Sequence, residues 1–217
     1  GPEIGVAATK TYTSQLVQMI FLAMHLGKVR GALSPQRVQE LQDGALRLPE
    51  QAARVLKASA GVAEIAARSS SLGHRFMYIG RRYNLPTAFE GALKMKEISY
   101  LHAEGYAAGE MKHGPLALIE PGWMCVAAAP KSRVTDKVVS NIQEIRARGA
   151  SVFAVATEGD PEIRRVSNDV VEIPECEEIF SPVLTVLPLQ LLAYHAARAL
   201  KLDVDRPRNL AKSVTVE

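Results

Sequence analysis

VVSNIQEIRARGASVFAVA, residues 138–156, decides the fold class of this chain. Its first part has apolar residues at helical spacing and ends at Gly149, a typical helix stop. Residues 152–156 then form an uninterrupted apolar run of strand length. A helix that leads into such a strand is typical of a crossover between parallel strands, because those strands are buried on both faces. We therefore predict an α/β fold with a parallel sheet.

The same pattern continues on both sides of this stretch. Short apolar or β-branched runs predict three further strands, at 76–79, 124–129 and 170–173. Helical patterns lie between the strands and after them, at 86–101, 134–148 and 179–200. This alternation predicts helices on both faces of the sheet, because each crossover helix covers one face.

The first part of the chain, residues 1–33, predicts one helix. Thr9 or Thr11 can cap a helix that ends near Gly27, with apolar residues at helical spacing between them. The chain opens on a turn-like Gly-Pro and enters this helical pattern at once. We therefore expect it to be a piece of a longer protein.

Residues 34–72 predict a run of helices and no strand. Ser34-Pro35 is a helix-start signature, and we expect Pro49 and Gly61 to interrupt the helices that follow. At the other end of the chain, residues 203–217 depart from the alternating pattern and begin with a polar, turn-like stretch.

The composition is typical of a folded protein that does not bind nucleic acid. The chain has 217 residues, of which 47% are hydrophobic and 23% charged, and its net charge is +3. Disorder is therefore excluded for the chain as a whole, and the scattered basic residues predict no nucleic-acid partner. Each of the longest apolar stretches contains polar residues, and residues 1–9 lack the pattern of a signal peptide. We expect no membrane segment.

The two cysteines predict neither a disulfide framework nor a metal site. Cys125 lies in an apolar strand-like run and Cys176 among acidic residues. His25, His74, His102 and His195 show no spacing that is typical of metal ligands. We expect idle thiols in a reducing compartment, the cytoplasm, and no metal ion.

Charged residues form a narrow stripe on the predicted helix 86–101. Glu90, Lys94 and Glu97 stand at i, i+4 and i+7, which places them on one helix face, while the other faces are nearly apolar. Charges on an otherwise buried helix are costly unless they pair or face a cleft. The stripe predicts a site, although a salt-bridged solvent face is the common alternative.

Two more residues are candidates for chemistry. His113 precedes Gly114-Pro115, a chain reversal, and histidine suits general acid–base work, although a lone turn histidine is more often a surface residue. Lys212 lies in a tail with apolar neighbours that can dock, and a lysine in a partly closed site can form a Schiff base. From the pattern alone this remains a weak indication.

Three stretches resemble one family. EGALKMKEISYLHAEGYAAGEMKHGPLALIE (90–120) resembles the second sugar-isomerase (SIS) subdomain of the glutamine–fructose-6-phosphate aminotransferase family. PRNLAKSVTVE (207–217) is similar to the C-terminal tail of that family, and EIGVAATKTYTSQL (3–16) to the end of its first SIS subdomain. The resemblance implies an SIS-type three-layer sandwich, preceded by helices left from a truncated first SIS subdomain.

The resemblance also implies an organisation along the chain. Residues 1–33 correspond to the end of the first SIS subdomain, 34–72 to a helical connector, 73–202 to the second SIS subdomain, and 203–217 to an active-site tail.

The resemblance implies a reaction and the residues that perform it. The family makes glucosamine 6-phosphate from fructose 6-phosphate and glutamine-derived ammonia, by ring opening, imine formation and proton transfer between C1 and C2. Glu97 resembles the base that moves this proton, and Lys94 an assisting residue. His113 resembles a ring-opening histidine that reaches the site from the neighbouring protomer. Lys212 resembles the lysine that forms the imine.

The remaining implications concern binding and partners. Val6 and Ala211 match backbone contacts to the substrate, and Glu90 lies on the same stripe as the base. The implied partners are a phosphorylated sugar, a second copy in a homodimer and a glutaminase domain of the parent chain; no cofactor is implied.

Two departures from the family pattern limit what this chain alone can do. The nucleophilic N-terminal cysteine of the glutaminase is absent, and the Ser/Thr-rich phosphate loop of the first SIS subdomain would lie before Gly1. We therefore expect the isolated chain to be inactive.

Two alternatives stay open from the sequence. One is a non-catalytic SIS module that binds a phosphosugar, although such a module needs neither Lys212 nor Glu97. The other is a related SIS ketose-phosphate isomerase or sugar-amine deglycase, which product analysis would distinguish.

Overall fold

The computed structural model describes residues 1–71 and 75–213. The predicted boundary at residues 72 and 73 and residues 214–217 of the predicted tail lie outside the described residues. The α-helices are α1 (Lys10–Val29), α2 (Pro35–Ala58), α3 (Val62–Ser71), α4 (Asn84–Ser99), α5 (Thr135–Arg146), α6 (Pro161–Val166) and α7 (Ser181–Ala199). The strands are β1 (Arg75–Gly80), β2 (Ala103–Ala107), β3 (Trp123–Ala129), β4 (Ser151–Thr157) and β5 (Asp169–Ile173). Short 3₁₀ segments cover Ser59–Gly61, Ala108–His113 and Pro115–Leu118.

The strands form one parallel sheet in the order β2-β1-β3-β4-β5. Phe76 of β1 pairs with Ala103 of β2 on one side and with Met124 of β3 on the other. The four predicted strands are therefore confirmed, and so is the parallel α/β fold. The edge strand β2 was not predicted, because its sequence, AEGYA, contains no β-branched residue and one large side chain.

Alternation along the strands creates a core on each face of the sheet. Phe76 and Tyr78 pack on one face with residues of α1, α2, α3, α4 and α7. Met77 and Ile79 pack on the other face with residues of α5, α6 and the two 3₁₀ segments after β2. Because successive side chains of a strand project from opposite faces, the sheet contributes to both cores and forms the middle of three layers.

The predicted interruption at Pro49 is wrong, because α2 continues through it. Pro49 removes one backbone N–H from the helix, which costs stability. Pro49 is exposed, whereas Leu48 and Val55 are buried against the core. Burial of this apolar face outweighs the lost hydrogen bond. The break predicted at Gly61 is confirmed, since the 3₁₀ segment Ser59–Gly61 separates α2 from α3.

A close approach of backbone to backbone places α4 on the sheet. A Cβ atom on Gly80, at the end of β1, would lie 2.2 Å from the carbonyl oxygen of Asn84 in the first turn of α4. Glycine is therefore required at this turn. The Asn84 side chain then donates to the Ser181 hydroxyl at 2.7 Å, which joins the start of α4 to the start of α7. Together these contacts fix the helix that carries the charged stripe.

Helix α1 has one buried and one exposed apolar face. Ile20 and Met24 belong to the core, whereas the other face exposes Met19, Phe21, Leu22, Leu26 and Val29. The origin of this helix in a first SIS subdomain remains a prediction. None of the helices in the described ranges combines the length and the apolar composition that a membrane crossing requires.

Candidate functional site

Glu90, Lys94 and Glu97 form a buried ion-paired group on α4. The Lys94 Nζ atom lies 2.5 Å from Glu97 Oε2 and 3.4 Å from Glu90 Oε1. The exposed fraction of the side chain is 4% for Lys94, 10% for Glu90 and 22% for Glu97. A salt-bridged solvent face, the alternative open from the sequence, does not fit this burial. The stripe instead brings two carboxylates and the ammonium between them into the interior.

The group is electrostatically unusual because two carboxylates share one ammonium. Burial raises the pKa of Glu90 by desolvating its carboxylate; the Lys94 ammonium opposes the shift and the Glu97 carboxylate adds to it. Buried charges of this kind cost free energy, and replacing them by apolar residues is often neutral or stabilising. Their presence beside a cavity therefore favours a functional site over a structural one.

A cavity of about 410 Å³ opens beside Lys94. Lys94 and Ile98 of α4 and Gln190 and Tyr194 of α7 form part of its wall, and the rest comes from residues near the two chain ends. Its volume lies within the range of about 300–1,000 Å³ that is usual for small-molecule sites. A sugar-sized ligand in this cavity would contact the Lys94 side chain.

The two ends of the chain meet at the rim of this cavity. The backbone N–H of Val6 donates to the carbonyl oxygen of Asp205 at 3.0 Å, and Asp205 lines the cavity. The ammonium of Lys212 donates to the backbone carbonyl oxygen of Glu3, another residue that lines the cavity. Ala211, next to Lys212, is exposed. Thus the structure brings Val6, Lys212 and the stripe to one region.

The tail is also held to the end of α4. The backbone N–H of Arg208 donates to the Tyr100 hydroxyl at 2.7 Å, and the Arg208 guanidinium lies 4.2 Å from the centre of the Tyr100 ring. Tyr100 itself has a left-handed backbone, with φ of 60°, and terminates α4. These contacts direct residues 203–213 back toward the stripe.

Glu3 is a site residue that the sequence analysis did not identify. Its carboxylate accepts the Thr9 backbone N–H at 2.8 Å, the Thr9 hydroxyl at 2.9 Å and the Thr11 hydroxyl. Desolvation alone would raise the pKa of Glu3, but the hydrogen bonds from Thr11 and Thr9 outweigh it and lower the pKa to about 2. An acidic residue shortly before a Thr-rich helix start was the signal that could have revealed this contact.

Replacing Glu3 by glutamine is expected to lower stability at neutral pH and to have little effect in acid. The folded pKa is about 2, below the ordinary value of 4.5, so the stabilisation is fully present above pH 4.5 and is lost toward pH 2. Solvent screening limits it to about 1 kcal/mol, the usual value of a helix cap. Urea unfolding at pH 7 and pH 2 measures the difference.

The matched control for this measurement is Glu50→Gln, an exposed glutamate of α2. Equal destabilisation by Glu3→Gln at both pH values would show that the charge of Glu3 does not contribute.

His113 lies far from the stripe within one chain. It ends the 3₁₀ segment after β2, and neighbouring residues of that segment pack in the core on the opposite face of the sheet from α4. Its side chain is 75% exposed and its nearest charged partner is Glu110, at 3.8 Å. The structure therefore does not bring His113 together with Lys94 and Glu97 in the same chain.

A cavity larger than the one beside Lys94 lies elsewhere on the molecule. It has a volume of about 640 Å³ and lies between the loops after β3 and β4. Its lining includes one lysine, Lys131, and five carboxylates, Asp136, Glu158, Asp160, Glu162 and Glu175. A predominantly acidic lining repels a phosphorylated sugar.

Neither cysteine is an activated nucleophile. Burial raises the pKa of the Cys125 thiol, and burial together with Glu175 and Glu177 raises that of Cys176 to about 11. Both thiols are therefore protonated at neutral pH. Within residues 1–71 and 75–213, no three His, Cys, Asp or Glu side chains are grouped to hold a metal ion.

Comparison with known proteins shows which family this chain is similar to. Residues 73–200 match the SIS domain family. A glutamine–fructose-6-phosphate aminotransferase (isomerizing) from Thermus thermophilus is 52% identical over 217 residues, which are 100% of this chain and 36% of the relative. The chain thus spans little more than a third of the length of the curated relatives that it matches.

Solved structures agree with this match. The C-terminal domain of a glucosamine-fructose-6-phosphate aminotransferase from Francisella tularensis has a TM-score of 0.89 and 36% identity, covering 95% of this chain and 58% of that one. A glucosamine-6-phosphate deaminase from Thermotoga maritima has a TM-score of 0.68 and 25% identity, covering 100% of this chain and 60% of that one. The chain therefore belongs to the SIS domain family, and its whole length is similar to the C-terminal region of glutamine–fructose-6-phosphate aminotransferases.

Proposed function

We propose that this chain carries out the isomerisation step in the synthesis of glucosamine 6-phosphate from fructose 6-phosphate and ammonia. The observation that supports it most is the ion-paired stripe: Lys94, nearly inaccessible, contacts Glu97 beside a cavity of sugar-binding size. The names of the relatives supply the substrate, since the chain is 52% identical to an isomerizing aminotransferase over its full length.

In the proposed reaction, nitrogen enters at C2 through Lys212. The Lys212 amine releases the Glu3 carbonyl, loses a proton and attacks C2 of the open-chain ketose, and water leaves as the imine forms. Ammonia then displaces Lys212 from C2 and leaves a C2 imine of the sugar. Proximity makes this exchange efficient, because the cavity holds the sugar against the tail.

The remaining step is a proton transfer between neighbouring carbons. Glu97 takes a proton from C1 and returns it to C2, so that C1 becomes the aldehyde and C2 carries the amine. Lys94 stays ion-paired with Glu97 and offsets its charge while the proton moves. Glu90 holds Lys94 from the other side. The balance is fructose 6-phosphate plus ammonia to glucosamine 6-phosphate plus water.

Product analysis tests this function against its alternatives. The full-length protein of which we propose this chain to be part is expected to convert fructose 6-phosphate and ammonium to glucosamine 6-phosphate. An aldose phosphate as the main product would indicate a ketose-phosphate isomerase, and ammonia release from glucosamine 6-phosphate without net synthesis a deglycase. Binding without any turnover would indicate a non-catalytic module. The 217-residue chain alone is expected to form no product and to leave glutamine intact.

We further propose that the site is completed by a second copy of the chain. His113 and Glu97 belong to opposite faces of one sheet, so a shared site needs His113 from a neighbouring protomer. In the same proposal a glutaminase domain of the longer protein supplies the ammonia, and Val6 and Ala211 contact the sugar through their backbones. The protein works in the cytoplasm, where the unpaired Cys125 and Cys176 stay reduced.

Mixing two inactive variants is expected to restore activity if the site is shared. Glu97→Gln and His113→Ala proteins are each inactive, but a mixed dimer contains one site with both original residues. Random reassociation makes half of the dimers mixed, so we expect about a quarter of the original activity. A mixture of Glu97→Gln and Lys212→Ala is the control, because neither of its sites is intact. No recovery in the first mixture would contradict the shared site.

A further inference from the structure

We infer that Arg81 is a positioning residue for the turn that carries His113, and that it acts together with Asn141 and Glu144 of α5. The inference rests on the proposed function, because the position of His113 matters only if His113 takes part in the reaction. Arg81, Asn141 and Glu144 do not line the cavity beside Lys94. The contacts that carry it lie on the other face of the sheet.

Arg81 follows the last residue of β1 and is fixed by a buried amide. Its Nε and Nη2 atoms both donate to Oδ1 of Asn141, at 3.2 and 2.9 Å. Asn141 is 6% exposed, so this oxygen has little access to water and depends on Arg81 for its hydrogen bonds. Among the described residues no carboxylate forms an ion pair with Arg81. Its orientation is therefore set by Asn141 rather than by a counterion.

The Arg81 guanidinium lies against the backbone of the 3₁₀ segment Ala108–His113. A Cβ atom on Gly109 would be 3.2 Å from Arg81 Nη1 and 3.3 Å from Nη2. This approach is tighter than most side chains allow, and glycine permits it. Arg81 thus joins the end of β1, the middle of α5 and the start of the segment that ends at His113.

A second contact holds the end of the same segment to α5. The Lys112 Nζ atom lies 2.8 Å from Glu144 Oε1, and Glu144 is one helical turn after Asn141. Met111, between the two contacts, is fully buried. The backbone before His113 is therefore held at residues 109, 111 and 112, while the His113 imidazole remains 75% exposed and free to reach a ligand.

This arrangement has a direct consequence for acid–base chemistry. A catalytic histidine must lie within hydrogen-bond reach of the atom that it protonates or deprotonates. Among the described residues His113 has one charged contact, the long one to Glu110, so its placement depends on its backbone. A misplacement of about 1 Å at a reacting group can cost roughly 100-fold in rate.

Arg81→Lys in the full-length protein separates charge from geometry. Lysine keeps the positive charge but lacks the fork that binds Asn141 and covers Gly109. We expect kcat for glucosamine 6-phosphate formation to fall about 10- to 100-fold. KM for fructose 6-phosphate should change less than about threefold, because the cavity beside Lys94 is untouched. Arg133→Lys is the matched control: Arg133 is an exposed arginine after β3 without a polar partner in the described chain, and kcat should not change.

A second measurement reports the position of His113 without turnover. In NMR spectra of the 217-residue chain, the His113 ring signals and the backbone amides of residues 110–114 should shift in Arg81→Lys but not in Arg133→Lys. Gly109→Ala, which displaces the guanidinium by a few tenths of an ångström, should give a smaller shift in the same signals. It replaces Arg81→Lys if that variant does not fold.

The outcomes distinguish this inference from the proposed function. If His113→Ala is inactive while Arg81→Lys retains the original kcat, Arg81 does not position His113. Unchanged His113 signals in both Arg81→Lys and Gly109→Ala would overturn the inference as well. If His113→Ala retains full activity, the proposed role of His113 is wrong, and the NMR spectra still decide whether Arg81 holds the turn.

Discussion

Glutamine in place of Glu97 is expected to lower the rate of glucosamine 6-phosphate formation roughly 100- to 10,000-fold, the usual contribution of a positioned general base. Glutamine keeps the volume of the side chain but cannot take a proton from C1. Lys94 loses the carboxylate at 2.5 Å and keeps Glu90 at 3.4 Å, so a buried ion pair remains. The measurement is kcat in the full-length protein with saturating fructose 6-phosphate and ammonium.

Three controls connect this loss to the base. Glu64→Gln, on the exposed side of α3, should leave kcat unchanged. Circular dichroism at the assay temperature should show that Glu97→Gln is folded, so that the loss of kcat is separated from any loss of stability that follows from removing one carboxylate of Lys94. Imine formation at Lys212 should persist, since it precedes the proton transfer. Near-normal isomerisation by Glu97→Gln would show that another residue is the base.

Alanine in place of Lys212 is expected to abolish covalent capture of the sugar. Borohydride reduces an imine to a stable amine, so the original full-length protein should gain the mass of the sugar phosphate less one oxygen atom at Lys212 when both reagents are present. The alanine variant has no amine there and should gain none. Lys212 is exposed and its contact is the Glu3 carbonyl oxygen, so its removal leaves the core intact.

The trapping experiment needs a lysine that differs only in position. Lys57 is an exposed lysine in the last turn of α2. The Lys57→Ala variant should therefore capture the sugar as fully as the original protein. Glu97→Gln should also be trapped. Covalent capture that persists in Lys212→Ala, located by peptide mass at another lysine, would assign the imine elsewhere.

The sequence by itself determined the fold class. Apolar runs of strand length between helical patterns identified β1, β3, β4 and β5 and three of the helices that accompany them, α4, α5 and α7. These signals are local: the period of the apolar residues follows from the element that buries them. The stripe on α4 was predictable for the same reason, since the spacing of Glu90, Lys94 and Glu97 follows from helix geometry alone.

Only the tertiary structure decided which of these residues meet. The strand β2 forms because β1 offers an edge to pair with, and α2 continues through Pro49 because its buried face packs on the core. Neither outcome is visible in a local pattern, since the energy comes from contacts between segments that are distant in the chain.

The same division holds for the candidate site. Sequence placed charges on one helix face, but only the packing of the whole chain decided that this face is largely buried and that Lys94 lines a cavity together with residues of α7 and of the two chain ends. A contact between the two chain ends joins Lys212 to Glu3, and the 3₁₀ segment that ends at His113 packs on the opposite face of the sheet from α4, the helix that carries Glu97. The spacing of residues along a helix or strand sets the face from which each side chain projects. Which side chains then come into contact depends on how the helices and the sheet pack together.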